Sequence, residues 1–493
     1  MDSVVFGADI TTLLDLTPRD FQDNHFFPLD AQATWWLPTP DRKIHPLSLS
    51  LQQFPFRGPT SFGQRFTFDV PSVGSGDILM NAFLQIELGH WLDDTSICRF
   101  QTGQYVYQPG QTVWNYANSL GTVIIAKAEL EVNGVTLESI DGDFINIYGS
   151  LHKSIQKQYG IAVDGLGRKA FPYAPPATSP FPTESGTLCI PLSFFFQRIL
   201  LSEGFPLLAT KQGSVKIHIT LRPFEQCITS DIQASTKYDS CIYDIPENTP
   251  LGKSFAIIDK GYTLQANIPK VLKASTAVPP FKKIQLIAYT AHVDGMLRSS
   301  MLHSPFETLV RNVETFTFTE PLKYSVTASS EDMIRVQLPI EINHPMEEII
   351  WVIRRKANTM QNEYTNFSSV TSQEYHPIYN KQMPLLVNAS IYLNGIEIIQ
   401  KEEQWFRQHI SYLHKGGYAA YSQFIYGYSF SKHPGQHQPS GTANASKLQS
   451  VKLALAVKQP EGTQNKEWEV LIYILRLDWL RFQNGLVNRI YMD

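Results

Sequence analysis

The chain has 493 residues, 43% of them hydrophobic and 12% aromatic, so it can fill at least one full core and is not an intrinsically disordered chain. Forty-one basic against forty-five acidic residues leave a net charge of −4, which excludes the general basic footprint of a nucleic-acid binder. Charged residues make up only 17%, against ~25% in ordinary soluble domains, a composition suited to a surface hidden against neighbours.

Length sets a prior of about three units at ~150 residues each, with two equally open because all-β domains run larger. Residues 1–45 carry no sustained period and read as an N-terminal arm. The amino terminus, Met1 to Phe6, shows no basic stretch followed by an apolar one. Apolar runs such as Val123–Ala126 and Ser193–Phe196 are far short of the ~18 residues of a membrane span, so neither secretion nor a transmembrane segment is expected. Cys98, Cys189, Cys227 and Cys241 form no C-x-x-C pair, so zinc and redox motifs are missing and reduced thiols are expected.

From residue 46 the dominant period is two, the strand signature. Phe66, Phe68 and Val70 alternate with polar residues, and Ile78, Met80, Ala82, Leu84, Ile86 and Leu88 form the next run. A helix is expected from about Asp143, with Phe144, Ile147, Tyr148, Leu151 and Ile155 on one side, Asp143 as cap and a stop by Gly160. Residues 171–186 hold five prolines and predict an extended surface loop. Val215, Ile217, Ile219 and Leu221 resume the strand pattern. The stretch 226–280 is polar and mixed, with prolines at its end, and reads as an insert plus linker. Ser304-Pro305-Phe306-Glu307 has the form of a capping box, predicting a helix with Phe306, Leu309, Val310 and Val313 on its apolar face. Ile334, Val336, Leu338, Ile340 and Ile342 make the longest alternation, and Val451, Leu453, Leu455 and Val457 another. Val470–Leu475 is apolar on both faces, so this strand should be covered on both sides. With prolines and glycines punctuating these runs, the fold expected is an all-β sandwich or barrel with a few short helices.

Two segments repeat. Leu130-Glu-Val132-Asn133-Gly134-Val135 is similar to Ile391-Tyr-Leu393-Asn394-Gly395-Ile396, at an offset of 394 − 133 = 261. Each sets Asn-Gly between alternating apolar residues, the signal of a type I′ hairpin. Amphipathic stretches follow both, Phe144–Ile155 and Trp405–Leu413, and Ser214-Val-Lys-Ile217 answers Ser450-Val-Lys-Leu453. The ordered series predicts two tandem copies of one β-fold, in the division 1–45 arm, 46–225 first copy, 226–280 insert or linker, and 281–493 second copy.

No reactive constellation stands out. His433 and His437 are four apart, but Pro434-Gly435 between them forbids the helix that a zinc pair would need. With His409 and His414 nearby a metal cluster is conceivable, yet loop histidines on a large surface are the expected reading. Asp141-Gly142-Asp143 lacks the later ligands of a calcium loop and reads as a helix N-terminal turn. Asp93-Asp94 and Glu402-Glu403 are carboxylate pairs of the kind any acid-containing chain offers. Gly165-Leu-Gly167 lacks a third glycine, so phosphate binding is weakly signalled. Arg354-Arg355-Lys356 and Lys282-Lys283 read as solvated strand ends, and the sequons at Asn366, Asn388 and Asn444 as unmodified. Catalytic, cofactor-binding and metal sites are all expected to be absent.

Asn343-His344-Pro345-Met-Glu-Glu-Ile349-Ile350-Trp351-Val352 resembles a motif of the major capsid proteins of nucleocytoplasmic large DNA viruses. So does Gln438-Pro439-Ser440-Gly441-Thr442-Ala-Asn444-Ala-Ser446-Lys447, preceded by Tyr426-Gly-Tyr428-Ser-Phe430. Asp294–Val313, Asn394-Gly395, Gly76-Asp77-Ile78-Leu79 and Ile190–Phe196 are similar to further family segments, with Leu297 where the family has an acidic residue. Residues 1–45 and 226–279 have no clear counterpart. The resemblance implies a double jelly roll, two eight-stranded antiparallel sandwiches in one chain, with no enzymatic role. It also implies a homotrimer with a pseudo-hexagonal outline, a capsomer tiling an icosahedral shell beside neighbouring capsomers and minor capsid and vertex (penton) proteins. The chain would then assemble in the host cell cytoplasm and belong to the virion capsid, without binding nucleic acid directly, at a position close to any internal viral membrane. Residues 171–186 and 356–382 are the expected tower or intersubunit segments, and the arm, with Trp35 and Trp36, is expected beneath the shell against a minor protein. The competing expectation is a carbohydrate-binding or carbohydrate-active β-sandwich protein.

Overall fold

The structure, a computed structural model, describes residues 47–72, 74–89, 113–152, 186–198, 204–231, 243–244, 271–272, 280–319, 333–371, 382–414, 424–435, 439–458 and 467–490. The arm at 1–45, most of the proline-rich loop at 171–186, Cys98, Cys241, Asp93-Asp94, Gly165–Gly167 and His437 lie outside them.

Alternating sequence becomes paired strand throughout. In chain order the strands are β1 (Leu47–Pro55), β2 (Arg65–Val70), β3 (Ile78–Glu87), β4 (Val113–Tyr116), β5 (Ile125–Val132), β6 (Val135–Ile140), β7 (Thr187–Pro191), β8 (Val215–Leu221), β9 (Ile228–Asp231), β10 (Tyr243–Asp244), β11 (Val271–Leu272) and β12 (Lys283–Val293). They continue with β13 (Phe306–Phe318), β14 (Met333–Ile340), β15 (Pro345–Arg355), β16 (Leu386–Leu393), β17 (Ile396–Glu402), β18 (Ile425–Ser429), β19 (Ala443–Asn444), β20 (Val451–Lys458), β21 (Trp468–Gln483) and β22 (Leu486–Ile490). One four-stranded sheet runs β1-β12-β3-β7 and faces another, β2-β8-β5-β6. The second set repeats this order: β13-β21-β15-β18 against β14-β20-β16-β17. Numbered within its own set, each copy reads 1-8-3-6 over 2-7-4-5, so the chain is two tandem antiparallel jelly rolls of identical topology.

This pairing changes the expected division. Lys283–Val293, placed by sequence in the second copy, pairs along β3 from Lys283↔Glu87 to Ala291↔Ile78 and is the eighth strand of the first roll. Residues 226–280 therefore lie between the seventh and eighth strands of roll 1 rather than between the rolls. Part of this insert, β9, pairs with β4, and β10 pairs with β11.

The Asn-Gly hairpins form as read. Asn133 and Gly134 have φ of 54° and 79°, and Asn394 and Gly395 have 51° and 80°, the left-handed pair that a type I′ turn requires. The copies agree beyond the turn: Asn133 N–H donates to Ser214 O at 3.0 Å, and Asn394 N–H to Ser450 O at 2.9 Å.

Two expectations fail locally. Phe306–Glu307 begins a thirteen-residue strand, not a helix, and β13 pairs along its length with β21 from Phe306↔Phe482 to Phe318↔Val470. Glu307 meets Arg481 across the ladder at 2.9 Å instead of closing a capping box, and the short helix lies just before, at Gly295–His303. β13 carries Thr, Val and Phe in alternation, and a full ladder outweighs a four-residue cap signal. In β3, Asn81 faces Tyr289 and Leu79 faces Thr290, which leaves Met80 as a bulge. The phase flips there: Leu79 is buried, whereas Ile78 and Met80 stay half-exposed.

Two cores result, and they share a sheet. Trp351, Ile353, Val470, Ile472 and Ile474 pack inside roll 2. Their sequence neighbours Ile350, Val352, Leu471, Tyr473 and Leu475 join the core of roll 1. The double-sided strand at 470–475 is thus covered by its own roll on one face and by roll 1 on the other.

Candidate functional site at the junction of the rolls

The element that roll 1 presses against this shared sheet is the helix Gly142–His152, buried on almost every side. It starts where it does because Asp141 Oδ1 accepts the Phe144 N–H at 2.6 Å. The cap is therefore Asp141, not Asp143. Gly142 is required at the first turn, since a Cβ there would lie 1.9 Å from Thr122 O. Tyr473 of β21 donates its hydroxyl to Asp141 at 3.2 Å, tying the cap to roll 2. Burial, with the Asp143 charge second, pushes the Asp141 carboxyl up to about 6.

Buried charges then set the relative orientation of the rolls. Asp143 of roll 1 pairs with Arg354 of roll 2 at 3.2 Å and lies 3.7 Å from Arg222. Arg354 also holds Glu469 at 2.7 Å and donates to Tyr364 O at 3.0 Å. Arg222 stacks over the Tyr364 ring, 4.0 Å from its centroid. Arg198 contacts Glu138 and donates to Arg311 O at 2.8 Å, while Arg311 holds Glu347 at 2.6 Å. Asn362 donates to Glu225 O and Ile228 O, both at 2.7 Å. Such pairs add little net stability over apolar packing, but a mismatched register would leave charges buried and alone, so they fix geometry. Arg354 and Arg355, read from sequence as solvated, are buried, as Arg355 also donates to Ser369 O at 2.7 Å. Residues 356–371 of the segment expected to make tower or intersubunit contacts are likewise packed against this junction, through Asn362 and Tyr364.

A second polar group sits at the same boundary. His152 ends the roll 1 helix, Glu348 lies on β15, and His414 follows the helix Glu403–Leu413. His414 Nε2 is 2.5 Å from Glu348 Oε1, and the two imidazole rings are 3.9 Å apart. Burial pushes Glu348 up to about 8 and His414 down to about 4, and it holds His152 well below the ordinary histidine value.

The structure separates the sequence-nominated histidines. His414 is buried beside Glu348, whereas His409 stacks on Trp405 at 4.4 Å, and the His433 backbone N–H donates to Ser440 Oγ at 2.8 Å. Glu403 pairs with Arg407 at 2.8 Å. Lys282 and Lys283 are exposed as read. Asn366 spends both amide hydrogens, on Glu363 at 2.7 Å and Val370 O at 2.9 Å. Cys189 and Cys227 are free thiols. Among the described residues no helix is long and apolar enough to cross a membrane. The two motifs that carried the resemblance meet in space: Pro345↔Asn444 and Met346↔Ala443 pair β15 with β19. Ser440 Oγ lies 2.7 Å from Ser431 Oγ, and Asn444 accepts the Ser446 N–H at 3.1 Å, so the second motif is a turn rather than a reactive site.

The 261-residue offset also pairs covered positions with open ones. It maps β5 onto β16 and the helix Gly142–His152 onto Glu403–Leu413. Leu151 is 0% exposed and its equivalent Tyr412 82%, while Leu137 is 2% exposed and Ile398 44%. In roll 1 the partner is the outer face of the β13-β21-β15-β18 sheet. The equivalent outer face of roll 1 carries exposed Leu49, Leu51 and Tyr289. Each roll thus has the same two faces, and one of each kind is left open.

A family model described as "Major capsid protein N-terminus" matches residues 48–251, and one described as "Large eukaryotic DNA virus major capsid protein" matches 298–487. A major capsid protein of Phaeocystis pouchetii virus is 21% identical over 94% of this chain and 96% of its own. Among solved structures, PBCV-1 VP54 superposes with a TM-score of 0.65 at 17% identity, covering 92% of this chain and 98% of that one. The Faustovirus major capsid protein gives 0.61 at 11% identity, covering 96% of each.

Proposed function

We propose, for a chain that belongs to the large eukaryotic DNA virus major capsid proteins, that three copies close into a ring in which the open faces of one copy meet those of the next. The protein is a structural component of the virion capsid and not an enzyme, and the carbohydrate-directed alternative is unsupported. The observation that carries the trimer is the covered-versus-open correspondence. Within one chain, the helix and hairpin of roll 1 dock on the outer sheet of roll 2. The same elements of roll 2, with Ile398 and Tyr412 exposed, then fit the outer sheet of roll 1 in a second copy, where Leu49, Leu51 and Tyr289 are exposed. Repeating one docking mode six times, three within chains and three between them, gives a closed cyclic block with a nearly hexagonal outline.

Such blocks tile a facet of an icosahedral shell. Neighbouring capsomers and minor and vertex proteins are the partners that follow, and assembly takes place in the host cell cytoplasm, close to any internal viral membrane. Charge placed on either open face tests the ring. Tyr412→Arg with Ile398→Arg, or Leu49→Arg with Leu51→Arg, should give a folded monomer by sedimentation. Met296→Arg, at another exposed apolar site, should leave the oligomer intact. Retention of the trimer in both double variants would refute this docking mode.

A further inference from the structure

We propose that His152, Glu348 and His414 bind one divalent transition-metal ion, with zinc the best match, which bolts roll 1 to roll 2. Their candidate donor atoms all lie within 4.8 Å of one another. The donors come from three elements on the two sides of the junction, so an ion held by all three joins the rolls directly. His152 Nδ1 lies 3.1 Å from Tyr148 O and donates to it. That bond fixes the tautomer and leaves Nε2 as a bare lone pair, the arrangement by which an imidazole is prepared for a metal. His152 Nε2 and Glu348 Oε2 are both buried without a hydrogen-bond partner. Stacking against Tyr148 at 3.7 Å and a tilted contact with His414 at 3.9 Å hold the His152 ring in place.

Charge accounting favours an ion. Around this point Arg198 answers Glu138 and Arg311 answers Glu347. Among the described residues no lysine or arginine reaches Glu348, whose side chain is wholly buried. A buried carboxylate beside two touching imidazoles is costly unless a cation or a proton neutralises it. Two imidazoles and a carboxylate suit zinc better than magnesium or calcium, which prefer oxygen donors throughout. Zinc bonds of ~2.0–2.2 Å place ligands roughly 3.4 Å apart. On binding, the widest donor separation, up to 4.8 Å, must therefore shorten, while His414 Nε2 and Glu348 Oε1, 2.5 Å apart, must separate by roughly 1 Å. The sequence reading expected no metal: it grouped His414 with His409, His433 and His437, whereas the true neighbours are far off in sequence.

The test is metal content of the purified full-length protein by inductively coupled plasma mass spectrometry, after incubation with Zn2+ and gel filtration. The wild type should retain about one zinc per chain, and its melting temperature should rise with Zn2+ and fall with EDTA. Glu348→Gln, which keeps shape and hydrogen bonding, and His152→Phe, which keeps the stack on Tyr148, should each lose the zinc and the EDTA response. Folding of either variant suffices. Zinc-free wild type, or a folded variant that retains the full zinc content, would overturn the proposal and leave a proton as the neutralising partner of Glu348.

Discussion

Leu471 and Ile472 are adjacent in β21 and point to opposite faces, which makes them a direct probe of the double coverage at the junction. Leu471 is 5% exposed and belongs to the core shared with roll 1, while Ile472 is fully buried in the core of roll 2. Truncating a buried leucine or isoleucine to alanine removes its transfer energy and leaves a cavity, at ~2–5 kcal/mol. Leu471→Ala and Ile472→Ala should therefore each cost about 3 kcal/mol. In units of roughly 150–250 residues, 1 kcal/mol lowers Tm by ~2–4 °C, so scanning calorimetry should show a fall of ~6–12 °C for each variant. A strand covered on one face gives the contrast: in β14 Leu338 is buried and Gln337 exposed, so Leu338→Ala should fall comparably and Gln337→Ala by ~1 °C or less. If Leu471→Ala melted like the wild type while Ile472→Ala fell, the outer face of the sheet would not be covered by roll 1.

Gly142→Ala forces a methyl group against the Thr122 and Ile125 carbonyl oxygens, so it should cost about 3 kcal/mol or more, read as a depressed Tm or loss of soluble protein. An unchanged Tm would contradict the close approach. Asp141 supplies a pH signature: its folded value of about 6 exceeds the unfolded 3.8, so the native state takes up the proton first. That contribution is fully present below pH ~4 and is lost as pH rises through 6, by up to ~3 kcal/mol. Between pH 7.5 and 5 the wild type should accordingly gain Tm relative to Asp141→Asn, and parallel profiles would count against the assignment. Deleting residues 1–40 should spare trimer formation but weaken shell assembly, measured by sizing and particle imaging; loss of the trimer would rule out that role for the arm.

Period-two runs, paired Asn-Gly turns and the 261-residue offset are local signals, and the sequence made the tandem β-fold legible through them. The apolar tract at 470–475 announced its double coverage for the same reason. What escaped depends on partners distant in the chain. Lys283–Val293 follows the insert and precedes roll 2, so proximity assigned it forward, while its ladder with β3 reaches back about 200 residues. Ser304-Pro305-Phe306-Glu307 satisfies a capping rule in isolation, but β21 offers Glu307 a cross-strand arginine instead. Arg354 and Arg355 look like a charge run at a strand end until Asp143, Glu469 and Ser369 are folded around them. His152, Glu348 and His414 share no motif spacing at all. Only the packing of two rolls brings them together.

The central claim is a closed ring of three chains, and the mass of the full-length protein at neutral pH, by light scattering behind a sizing column, tests it most directly. A stable species at three times 55.9 kDa is the predicted result. A strict monomer that melts cooperatively would contradict it, because the open faces around Tyr412 and Leu51 would then be stable in water without a partner.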